Sequence, residues 1–169
     1  MIQLDPFETL GSDNPSLAFL SSHRAVSVCA REIGRLADAL ADAASSFASA
    51  NGHEAPALRR MPDRCIVQLG PVALTVAWLR NGTDSPAGGE LLAIVWRGTI
   101  APRGDHLPER LHGRPIATPP VELWEQSFVP SAASEATWHW HPESRDREGY
   151  ASPELAAFCV QQLERALAA

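Results

Sequence analysis

Residues 64–100 read RCIVQLGPVALTVAWLRNGTDSPAGGELLAIVWRGTI, and this stretch decides the fold. It holds three apolar runs of strand length, rich in Val, Ile, Leu and Trp. Gly70-Pro71 separates the first two, and a turn-rich segment from Asn81-Gly82 to Gly89 separates the second from the third. Side chains alternate along a strand, so Cys65, Val67 and Leu69 share one face of the first run. In the second run Val72, Leu74, Val76 and Trp78 lie opposite Ala73, Thr75, Ala77 and Leu79. In the third, Leu92, Ile94 and Trp96 lie opposite Leu91, Ala93, Val95 and Arg97. The connections are too short for a parallel crossover, which predicts antiparallel neighbours. Both faces of the second and third runs are largely apolar, which predicts central strands covered on both sides at least in part. One cover is a helix layer. The other is expected from the 101–120 loop, the second helix or another subunit.

Outward from this core, residues 1–14 read as a loose N-terminal arm. A helix start is expected at Asn14-Pro15 or at Ser21/Ser22. Val26, Ile33, Leu40 and Phe47, with Cys29, Leu36 and Ala43, predict an apolar stripe on a long helix stopping near Asn51-Gly52. Arg24, Arg31, Glu32, Arg35, Asp38 and Asp42 fall on its other face. Residues 53–63 read as a proline-containing linker, and 101–120 as a long loop with a short helical turn over 105–111. Two further strands are expected over 121–129 and 137–141. A C-terminal helix follows, with Ser152 as cap, Pro153 next and an apolar stripe of Leu155, Cys159, Leu163 and Ala166 or Leu167. The expected fold is therefore α+β: a mainly antiparallel sheet of about five strands, a meander plus a hairpin, with a long N-terminal and a C-terminal helix packed on it. The whole of 1–169 reads as one domain.

Composition narrows the function classes. The 169 residues carry a net charge of −6, and all 14 basic residues are arginine, the mark of a GC-rich, bacterial-like coding sequence. The acidic balance disfavours nucleic acid as a partner. No run approaches the length of a membrane span and no secretory leader is read at the start, so a cytoplasmic protein without membrane association is expected. Cys29, Cys65 and Cys159 are odd in number, widely spaced and on apolar faces, which predicts buried thiols rather than disulfides or a zinc site.

Three groups of residues are candidates for a site. His139 and His141 flank Trp140, so on a strand both imidazoles point the same way and could grip a metal, with Glu143, Asp146, Glu148 or His112 as a third ligand. The structural alternative is a pair of histidines on the solvent face of an edge hairpin. Five tryptophans stand on predicted strands, and Trp124 and Trp138 are expected to be partly exposed and open to a ligand or partner. Arg103, Arg110 and Arg114 in the long loop could bind a phosphate or carboxylate, although Asp105 and Glu109 interleave with them. No glycine-rich phosphate motif or nucleophile motif is present, and no cofactor is implied.

The central strands carry more apolar area than two helices hide. The expected function is therefore that of a small cytoplasmic, non-catalytic protein acting through a protein partner and as a homodimer. The alternative is a small-molecule binder or enzyme with a pocket between sheet and helices, lined by tryptophans and the His139/His141 pair. In size, in acidic pI of about 5.5 and in element order (helix, three strands, short helix, two strands, helix), the chain is similar to the small dimeric secretion chaperones. That resemblance lies in element order alone, and it implies a dimeric, protein-binding role.

Overall fold

The computed structural model describes residues 14–101, 118–144 and 148–169. Arg103, Arg110, Arg114, His112, Asp146, the 105–111 turn and most of the N-terminal arm lie outside them. The fold is α+β. Helices α1 (Pro15–Leu20) and α2 (His23–Ala50) precede strands β1 (Ala57–Met61), β2 (Arg64–Leu69), β3 (Val72–Leu79), β4 (Glu90–Arg97), β5 (Val121–Ser131) and β6 (His139–Pro142), and α3 (Ser152–Ala168) closes the order. The six strands form one antiparallel sheet in sequence order, β1 to β6. Gly70, at φ +56°, precedes Pro71 in the two-residue β2–β3 connection, the sign pattern of a II′ turn that suits strand twist.

The strand beyond the expected five is β1, in the segment read as a linker. Its sequence, ALRRM, carries two adjacent arginines and gives little apolar alternation, a composition an edge strand tolerates. Both helix starts are used. Asn14 caps α1 by accepting from the Ser16 N–H, and Ser22 caps α2 by accepting from the Ala25 N–H. Asn51 and Gly52 end α2 as expected.

The buried line of α2 differs from the heptad stripe. Val28, Glu32, Leu36, Leu40, Ala44 and Ala48 are buried, whereas Val26, Ile33, Ala43 and Phe47 sit on its flank, partly buried. Residues four apart form a ridge inclined to the helix axis, and the alanines in that ridge permit close approach to the sheet. Glu32 is consequently inside, not on the solvent face. Helix α2 packs on β2, α3 packs on β3 and β4, and the two helices pack on each other. They form one layer over Cys65, Val67, Leu69, Leu74, Val76 and their neighbours. The second helix therefore does not serve the sheet's other face.

Candidate interaction surface

The residues expected to form a site disperse. Trp138 is 5% exposed, which corrects the expectation of an accessible ring. Its indole lies edge-on to Trp140, which in turn meets Trp78, so all three fill the core beneath the helices. The Trp138 Nε1 has no hydrogen-bond partner among the described residues. Trp124 is half-buried on the helix side of β5, edge-on to Phe158 of α3. His139 is exposed, with Nδ1 2.9 Å from the Thr137 carbonyl oxygen. His141 is half-buried, its ring lying on Gly149, where an added Cβ would sit 2.6 Å from Nε2. Among the described residues no group of three or more His, Cys, Asp or Glu side chains is placed to hold a metal.

The tryptophans and histidines expected to line one pocket are also separated: Trp78 lines a small cleft with Cys29, Ile33 and Pro86, away from His139 and His141. A cleft of about 290 Å³ opens between α2 and the β1–β2 hairpin, with Leu36, Leu40 and Val76 among its lining, and neither the tryptophans nor His139 and His141 line it. Burial pushes the Cys29 and Cys159 thiols up to about 12 and raises that of Cys65, so all three are held neutral and poorly nucleophilic.

Inside the helix layer a polar chain fastens three elements. The Trp140 Nε1–H donates to Ser152 Oγ (3.0 Å), and the Ser152 hydroxyl donates to Glu32 Oε2 (2.8 Å). Arg35 Nη1 donates to Glu32 Oε1 (3.0 Å) from an exposed position. Ser152, expected as the α3 cap, is drawn into this chain instead. Ala151 takes the cap position, with its N–H bonded to Glu154 Oε2 at 3.0 Å.

What remains is the sheet face turned away from the helices. Register places three cross-strand rows on it: Ala57–Gln68–Ala73–Trp96–Glu122, Arg59–Ile66–Thr75–Ile94–Glu125 and Met61–Arg64–Ala77–Leu92–Ser127. A bulge at Val95/Trp96 brings Glu122 into the first row, which strict alternation along β5 would have put with Trp124. Ile66, Ala73 and Ala77 are buried, while Thr75, Leu92, Ile94 and Trp96 are half-buried. The Trp96 Nε1–H donates to Thr75 Oγ1 at 3.2 Å, which fixes the indole along the surface. Gln68 is satisfied at both ends of its amide: the two Nε2 hydrogens are shared among the Gly70, Val72 and Gly98 carbonyls, and Oε1 accepts from the Ile100 and Ala101 N–H groups. It anchors the chain as it leaves β4.

The charges on this face are segregated. Arg59 and Arg64 stand on the β1–β2 flank, and Glu122 and Glu125 stand on β5. All four are exposed, and none belongs to an ion pair among the described residues, where arginines 24, 35, 60 and 80 do pair. Trp96, not Trp138, is thus the aromatic presented with an apolar surround. Its place in the Leu92/Ile94/Trp96 alternation was visible in the sequence, but the side covered by the helices was not.

The class this architecture defines is an α+β domain with a six-stranded antiparallel meander and a helix pair on one face. Comparison with protein-family models, curated proteins and solved structures finds no match to the chain. The fourth strand before residue 101 also adds one element to the order on which the similarity to secretion chaperones rested. Among the described residues no helix is long and apolar enough to cross a membrane.

Proposed function

We propose that this chain is a non-catalytic protein of the cytoplasm that works by binding another protein through the sheet face opposite its helices. The observation that carries the reading is the line of half-buried Leu92, Ile94 and Trp96 along β4, between two flanks of charges that form no ion pair among the described residues. Apolar centre and polar rim are the anatomy of a protein interface, and tryptophan is enriched at its centre. The neutral, buried thiols support a role without cysteine chemistry.

Ile94→Arg tests the reading, because it places a charge in the middle of the face without touching the helix layer. Wild type and variant, matched for fold by far-UV circular dichroism, are used to capture partners from lysate of the source cells and are compared by sedimentation. Loss in the variant of a specific association made by the wild type is the expected result. Identical behaviour of the two proteins in both assays overturns the reading.

A further inference from the structure

We infer that the occupant of this face is a second copy of the chain, paired about a two-fold axis parallel to β3 and passing over it. This rests on reading the face as a protein-binding surface and adds its partner and geometry. The argument starts from the flanks. β1 and β5 lie two strands to either side of β3, so rotation about an axis along β3 places β1 of one copy over β5 of the other and keeps each row in register. Arg59 then stands over the partner's Glu125, and Ile66 over the partner's Ile94. Arg64 stands over the partner's Leu92, one strand and one row from the same glutamate.

Each contact occurs twice, as a two-fold interface requires. Facing sheets pack about 10 Å apart with strands within about 30° of parallel, a gap that an arginine and a glutamate together can span. The residues nearest the axis are Ala73, Thr75 and Ala77, short enough to let the sheets approach. The other in-plane axis, perpendicular to the strands and over the middle row, would stack Arg59 on its own copy and Glu125 on its own copy, with Arg64 over the partner's Gln68. Charge repulsion rejects that arrangement. Five strands by three rows span about 24 Å by 20 Å, a projected area of about 480 Å² against roughly 800 Å² per partner in a standard interface. Association is therefore expected to depend on concentration, and it must be followed over a wide range.

The test is a charge exchange read by sedimentation velocity. One variant carries Arg59→Glu and Arg64→Glu, and the other carries Glu122→Arg and Glu125→Arg. All four sites are exposed, and thermal melts confirm that the folds match. Each variant alone brings like charges together at both flanks and is expected to dimerise about tenfold or more weakly than wild type. Mixed one to one, the all-acidic and all-basic faces pair, and dimer returns. Wild type alone offers a second measurement: its dimer weakens between about 0.05 and 0.5 M salt. A wild-type dimer untouched by either variant means another surface pairs, and the inference falls. So does a wild type that stays monomeric throughout. If that monomer still captures a protein that Ile94→Arg does not, only the self-pairing is lost and the binding function stands.

Discussion

Removing the Ser152 hydroxyl is the sharpest probe of how the helix layer is held. Ser152→Ala deletes the group that links Trp140 of β6 to Glu32 of α2. The Trp140 Nε1–H is left buried without an acceptor, a loss of about 1–3 kcal/mol, and Glu32 loses a hydrogen bond to a charged group worth about 1.5–3 kcal/mol. Since Glu32 is 4% exposed, water replaces that donor poorly, and a net loss of about 2–4 kcal/mol is expected. Glu32→Gln keeps the volume but removes the charge, at about 1.5–3 kcal/mol. Arg35 holds the other oxygen from an exposed position, so Arg35→Ala should cost under about 0.5 kcal/mol. The double variant Ser152→Ala/Glu32→Gln should fall short of the sum of the singles by about 1 kcal/mol, because both act on one bond. Urea unfolding followed by tryptophan fluorescence, with slopes checked for constancy, supplies each value, and thermal midpoints should move about 2–4 °C per kcal/mol. A loss below about 0.5 kcal/mol for Ser152→Ala, or strict additivity, would show that the chain of bonds does not fasten the elements.

Leu40 is wholly buried in the α2 row that lies on the sheet, so Leu40→Ala should cost about 2–5 kcal/mol in the same urea assay; a loss under 1 kcal/mol would contradict the packing of that row. The thiols make a pH prediction: Cys29 and Cys159 are raised from 9.0 to about 12 by burial, so the folded state keeps protons that the unfolded chain releases. Stability from this source is whole below pH 9 and declines above it by up to about 1.4 kcal/mol per pH unit for each thiol. Urea midpoints between pH 7.5 and 10.5 should show that decline, and iodoacetamide at pH 8 should label the native protein only slowly; rapid labelling without denaturant would refute the burial.

Much of the architecture was legible in residues 64–100, because alternation, a Gly-Pro turn and short connections leave few arrangements besides an antiparallel meander. The ends of α2 were legible too, since Ser22 and Asn51-Gly52 act through local hydrogen bonding and backbone freedom. Strand β1 was not. ALRRM becomes a strand by pairing with β2, and that pairing, not its own pattern, determines its state. The α3 cap shifted by one residue for a similar reason: the Ser152 hydroxyl meets Glu32 across 120 positions of chain.

The sequence by itself determined the class of fold, the thiols' burial and the alternation that puts Leu92, Ile94 and Trp96 together, because each follows from neighbours a few residues apart. The tertiary structure decided which side of the sheet both helices cover, and with it that Trp138 is core and Trp96 is not. It also decided that Arg59 on β1 and Arg64 on β2 share a sheet face with Glu122 and Glu125 on β5, since cross-strand register and the β4–β5 bulge place residues more than 50 positions apart on one surface. Periodicity states that a strand has two faces. Packing selects the one that the helices cover.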